Sequence, residues 1–181
     1  MEDYRGIVIS GLSNSGKTTL ATKLSEHFSW PVHSLGQLWR ERWAKLYPQG
    51  EVSFEEYWRT TSLQDNLAIN EQAREIFARG NVIGESRYSH YCRDFPALLV
   101  FVTADLETRA VRALPILKYP SKSLSEIKNI LFEREQDEVR MGKKLYGESY
   151  DYRVSDHYDL VLNSVRLTLA QEMVLVLSLH P

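Results

Sequence analysis

Eight residues near the N-terminus carry the first chemistry: Gly11-Leu12-Ser13-Asn14-Ser15-Gly16-Lys17-Thr18. They fit G-x-x-x-x-G-K-[ST], the P-loop pattern that wraps a phosphate. Gly11 and Gly16 let the backbone turn where a Cβ would clash, so that amide N–H groups point inward. Asn14 is not glycine, but asparagine tolerates positive φ. Lys17 brings positive charge to terminal phosphates, and Thr18 offers a hydroxyl to Mg²⁺. The candidate nucleotide-binding set is therefore Gly11, Ser13, Asn14, Ser15, Gly16, Lys17, Thr18 and Thr19.

Phosphoryl chemistry needs positioning and positive charge, so arginines at loops after strands are the next candidates. Arg87 follows an apolar strand in Glu85-Ser86-Arg87, and Glu85 stands where a carboxylate holds Mg²⁺ through water. Arg40 lies on the helix after Ser34-Leu35-Gly36. Arg109 and Arg112 stand one turn apart on the helix after a strong strand. Arg134 and Arg140 bracket Asp137 on a long charged helix, with Arg134 and Asp137 on one face at i, i+3. Asp105 is either a metal-holding carboxylate or, more naturally, the cap of the helix it precedes. Trp39, Trp43, Tyr57 and Trp58 fall on helices that flank an acceptor pocket, where most serve packing. The five histidines show no metal-ligand spacing.

Helices alternating with short apolar strands must position these groups. Ile7-Val8-Ile9-Ser10 reads as a buried strand, and Leu20, Leu24 and Phe28 recur at helical spacing after the loop. The loop thus opens a helix whose N-terminus favours an anion. Leu35 to Leu46 is an amphipathic helix, and Ser53 with Glu56 opens another. Ile69 to Ala78 forms a helix ending at Gly80, followed by a strand at 81–85. Ala97 to Thr103 is near-continuously apolar, as a strand of a parallel sheet is. Leu114 to Ser125 is polar and is expected to be a mobile excursion. A charged helix over 127–146, a last strand over 157–163 and a helix capped by Thr168 and Gln171 complete the chain.

The 181 residues suit one domain, and 43% hydrophobic content supports a substantial core. A formal charge of −2 gives no electrostatic case for nucleic acid or a membrane. No signal peptide or 18-residue apolar run is visible, and Cys92 is the only cysteine, so a cytoplasmic protein is expected.

On these residues the chain resembles the nucleoside monophosphate kinases, and is most similar to the archaeal-type cytidylate kinases. The likeness runs through Ile9-Ser10-Gly11 into Gly16-Lys17-Thr18-Thr19-Leu20-Ala21, then Ser34-Leu35-Gly36-Gln37-Leu38-Trp39-Arg40. It continues through Gly80 to Ile83 with Glu85-Ser86-Arg87, Arg134-Glu135 to Tyr146-Gly147, and Tyr158 to Asn163. Three features depart from the family pattern: Ser13-Asn14-Ser15 in the loop, Ser86 in place of a glycine, and Met141 where a second lid arginine is expected. Asn66 to Asn70 also lacks the carboxylates expected to read a cytosine edge.

The resemblance implies a P-loop NTPase three-layer sandwich, with a parallel five-stranded sheet flanked by helices. The single domain would have a core over about 1–34, 80–112 and 150–181, an acceptor-binding insert over about 35–79 and a lid over about 113–145. It implies transfer of the γ-phosphoryl of ATP to CMP or dCMP with Mg²⁺, by a monomer whose only partners are small molecules. Ser34, Arg40 and Arg87 would grip the acceptor. Lys17, Arg87, Arg134 and Arg140 would act on the transferring group, Arg109 would help hold ATP, and Thr18 and Glu85 would hold the metal. The alternatives are a kinase of the same fold with another small acceptor, or a non-catalytic nucleotide-binding relative.

Overall fold

The computed structural model describes residues 4–116 and 121–180. Five strands form one parallel sheet: β1 (Gly6–Gly11), β2 (Val32–Ser34), β3 (Val82–Glu85), β4 (Ala97–Thr103) and β5 (Leu160–Asn163), in spatial order β2-β3-β1-β4-β5. Among the described residues seven α-helices accompany them: α1 (Lys17–Phe28), α2 (Leu35–Leu46), α3 (Phe54–Thr60), α4 (Leu63–Ala78), α5 (Leu106–Ala113), α6 (Leu124–Tyr146) and α7 (Leu169–Leu179). This is the expected three-layer α/β sandwich.

Alternation along β1 explains the layers. Ile7 and Ile9 point to one face and pack with Leu20 and Leu24 of α1 and Val176 of α7. Val8 points to the other face, towards Trp39 of α2, Tyr57 of α3 and Ile69, Ala73 and Phe77 of α4. Period-two alternation thus gives one strand two cores, because both faces of a parallel sheet are covered. Cys92 lies in the second core, sealed from solvent. Close packing there also requires Gly84. A Cβ on it would stand 2.1 Å from Phe77 Cζ.

The chain leaves β1 through α1 towards β2 and β3 on one side, then crosses to β4 and β5 on the other. The carboxyl end of β1 is therefore the point where the strand order reverses, the place such sheets bind ligands. The P-loop sits there.

Several boundaries move. α4 begins at Leu63, not Ile69, because Ser62 and Asp65 form a reciprocal capping box. α6 begins at Leu124 through the same device in Ser123 and Glu126, which removes the end of the expected excursion over 114–125. Residues 117–120 of that excursion lie outside the described residues. Asp105 caps α5, its carboxylate accepting from Thr108 N at 2.7 Å. No helix among the described residues is long and apolar enough to cross a membrane.

Candidate active site

The P-loop backbone takes the shape its sequence requires. Gly11 has φ 140°, and a Cβ there would lie 2.1 Å from Val102 O. Asn14 adopts φ 59°, the left-handed conformation asparagine tolerates. Gly16, at φ 106°, caps the start of α1. The first-turn amides of α1 have no intrahelical partner, so they are available to an anion.

Lys17 is only 8% exposed, and its Nζ donates to Leu12 O at 2.9 Å. Burial, then the nearby Arg87 charge, pushes its pKa down to about 7. Thr18 Oγ1 donates to Glu85 Oε1 at 2.7 Å. That contact follows from the sheet: Glu85 ends β3 beside Ile9 of β1.

Two cavities meet at this point. The first, about 410 Å³, runs along the outside of the loop, with Asn14, Ser15, Gly16 and Thr19 on one wall and Arg112, Ser164, Leu167 and Leu169 on the other. The second, about 450 Å³, lies between the sheet end, α2–α4 and α6. It gathers Ser34, Arg40, Glu85, Arg87 and Arg134 with the aromatic rings of Trp39, Phe54 and Trp58. Lys17 and Thr18 belong to the walls of both.

Glu138 organises the second cavity. It is 2% exposed. Its Oε2 accepts from Arg87 Nε at 2.9 Å and Tyr152 Oη at 3.0 Å, and its Oε1 accepts from Arg134 Nε at 3.0 Å. Arg87 also donates to Gly11 O and, at 2.9 Å, to Ser13 Oγ. Glu138 engages Arg134 through Nε, and no hydrogen bond to its terminal nitrogens is made among the described residues. Ser34 spends part of its hydroxyl as the cap of α2, accepting from Gln37 N at 3.4 Å. Arg40 sits over the Phe54 ring at 5.5 Å.

Two of the sequence-derived arginines do not reach a cavity wall. Arg109 is 3% exposed and lies under the loop, where it pairs with Glu135 and donates to Ala104 O at 2.9 Å. Its neighbour Arg112 takes the open position, bonding Ser15 O at 3.2 Å and Ser164 Oγ at 2.8 Å. Arg140 pairs with Asp137 and its side chain is 66% exposed. Six residues on a helix rotate by about 240°, so Arg140 cannot share the face of Arg134. The partner of Arg134 is Glu138 at i+4, not Asp137 at i+3. Gly11 and Ser13 shape the loop and hold Arg87; they line neither cavity.

These placements have opposite consequences. Arg109→Ala leaves the Glu135 carboxylate buried and uncompensated, and should cost about 3 kcal/mol. Thermal unfolding should fall by roughly 6–12 °C. Arg140→Ala breaks an exposed pair worth about 1 kcal/mol or less, and should change neither melting nor turnover measurably. Calorimetric melting of the two variants side by side checks both.

Ser164 and Glu138 are the residues sequence reasoning passes over; Arg112 it names only beside Arg109, without telling the two apart. The signal for Glu138 was its i, i+4 spacing from Arg134. Ser164 offered none, since nothing local says that it meets the loop 149 residues earlier.

Comparison with known proteins bears on this geometry. The model of the cytidylate kinase-like family matches residues 6–166. The chain belongs to the cytidylate kinase-like family. A cytidylate kinase of Methanopyrus kandleri is 30% identical over 174 residues, covering 88% of this chain and 84% of its own. That of Ignicoccus hospitalis is 32% identical over 162 residues, covering 87% and 88%. Among solved structures, an uncharacterized protein from Eubacterium ventriosum superposes with a TM-score of 0.68 at 16% identity, covering 97% of each chain. A shikimate kinase from Bacteroides thetaiotaomicron gives 0.60 at 15% identity, covering 96% and 98%. Those two likenesses show the fold. The family places the chain among nucleoside monophosphate kinases of the archaeal cytidylate type, as the sequence motifs implied.

Proposed function

We propose that the protein transfers the γ-phosphoryl group of ATP to CMP or dCMP. One observation carries the reading: Lys17 and Thr18 stand in the walls of both cavities. A polyphosphate laid in the first cavity would end where an acceptor phosphate in the second begins. The apolar pair Leu167 and Leu169 suits the donor base, and the rings of Trp39, Phe54 and Trp58 suit a flat acceptor base better than a small polyol.

Thr18 and Glu85 fit Mg²⁺. They supply a hydroxyl and a carboxylate, hard oxygen donors 2.7 Å apart, and Mg²⁺ commonly takes one or two such ligands with water and substrate phosphates. Bound there, the ion would neutralise charge on the phosphate oxygens. The chain supplies the rest. Lys17 exchanges the Leu12 carbonyl for a phosphate oxygen and becomes fully protonated. An oxygen of the acceptor phosphate attacks the γ-phosphorus, the bond to the bridging oxygen breaks, and ADP departs. Arg134 and Arg87 balance charge on the equatorial oxygens, and Ser34 and Arg40 hold the acceptor. The insert over about 35–79 closes on the acceptor, and α6, which makes up most of the expected lid, closes over the transferring group and excludes water.

Incubation with Mg-ATP and each of CMP, dCMP, UMP and AMP, with ADP recorded, tests the reading. ADP release that depends on CMP or dCMP supports it. Release independent of any monophosphate, or none with any, refutes it.

A further inference from the structure

The second cavity includes two asparagines of α4. Asn66 and Asn70 lie four residues apart on one helix face, both are buried, and both line the cavity. Their amides are held differently.

Asn66 Nδ2 donates to Ser62 O at 2.9 Å and to Thr61 Oγ1 at 3.2 Å. A carbonyl has no proton to give. The Thr61 hydroxyl has already given its proton to Trp58 O, at 2.8 Å. Both partners can only accept, so the amide cannot be turned round without setting two acceptors against Oδ1. Its Oδ1 is thereby fixed outward. That oxygen takes no hydrogen bond among the described residues, and it is not one of the sealed, unpartnered oxygens of the interior.

Asn70 is tied to Tyr146 instead, Nδ2 to Oη at 2.7 Å. A phenol both donates and accepts, and burial holds this one protonated. If the amide turns, the phenol donates to Oδ1 and Nδ2 is released to the cavity. Asn70 can therefore follow the ligand, whereas Asn66 cannot.

We infer that Asn66 sets acceptor specificity, its Oδ1 accepting a hydrogen bond from an exocyclic amino group on the acceptor base. This rests on the second cavity being the acceptor site. Cytosine offers that amine beside an unprotonated ring nitrogen, which Asn70 Nδ2 can serve. Uracil offers O4 at the same place, where two lone-pair oxygens would face each other. Adenine carries the same donor–acceptor pair as cytosine, so the inference names the amine and not the ring. The sequence lacks the expected carboxylates here, and an amide locked by its neighbours supplies the same acceptor without a buried charge.

The test pairs Asn66→Leu with the pyrimidin-2-one nucleoside monophosphate, which is CMP without its amine. Binding by titration calorimetry and turnover by ADP release are both recorded. Wild type should bind CMP at least about tenfold tighter than UMP or the pyrimidinone nucleotide. Asn66→Leu should lose about tenfold for CMP and little for the other two, so that the discrimination collapses. Equal loss for all three nucleotides would mean a structural role and would overturn the inference, as would equal binding of all three by wild type. The kinase reading stands or falls separately. Amine-dependent binding without turnover refutes the kinase and keeps Asn66, and turnover with no amine preference does the reverse.

Discussion

Lys17→Met is expected to abolish phosphoryl transfer, lowering kcat by about a thousandfold or more, while raising the stability of the ligand-free protein. The first effect follows from removing the charge at the junction of the two cavities, where the proposed transfer takes place. The second follows from its burial. Lys17 has its pKa lowered from 10.5 to about 7, chiefly by desolvation. The unfolded chain therefore holds more protons than the folded one between those values, and stability rises with pH across that window. Below about pH 7 the full cost of the buried ammonium is felt. Methionine keeps the length and drops the charge, so its advantage should be greatest below pH 7, a few kcal/mol, and vanish towards pH 10.5. Urea melts at pH 6.5 and pH 9.5 check the sign. A variant less stable than wild type at pH 6.5, or one that still turns over, would show that Lys17 is not a strained cation awaiting a phosphate.

Arg87→Ala is expected to damage the protein twice. The sequence alone suggests a specific loss of acceptor use. The structure adds a stability cost, because Arg87 joins Gly11 O and Ser13 Oγ of the loop to the buried Glu138 carboxylate. Breaking that pair should cost about 3 kcal/mol. In the proposed reaction, kcat/KM for the acceptor should fall by at least about a hundredfold, with the KM for ATP changed by less than about threefold. The second change, Glu138→Gln, separates the two losses. Added to Arg87→Ala, it neutralises a buried carboxylate left with Arg134 as its remaining cationic partner, and should return part of the melting temperature. Turnover should not return. Recovery of turnover in the double variant would assign Arg87 to scaffolding.

The sequence and the structure agree most closely where the physics is local. β1, β4 and α2 are legible because hydrophobic period and flanking breakers lie within a dozen residues. Asn14 is legible too, since asparagine is among the few side chains that accept its φ of 59°. α4 and α6 start earlier than their apolar periods indicate, for a reason the sequence does hold: Ser62–Asp65 and Ser123–Glu126 are capping boxes with Asp or Glu at the third position, placed ahead of the apolar run that marks each helix. The site is harder. Arg109 and Arg112 are one turn apart, and only the packing of α6 against α5 decides which is sealed by Glu135 and which stays open. The same holds for Glu138, whose four partners come from Arg87, Arg134, Tyr152 and, at its backbone carbonyl, Tyr88. A carboxylate on a charged helix looks solvated until the sheet end is laid beside it.

The sealed thiol of Cys92 has a practical consequence. It sits in the core formed where α4 covers the sheet, and burial raises its pKa far above the usual range, so a disulfide reagent meets neither access nor thiolate. Labelling must wait until the α4 layer lifts. Because the chain has a single cysteine, the labelling rate becomes a one-site clock for that opening, and slowing by added nucleotide would report how firmly a ligand clamps the layer shut.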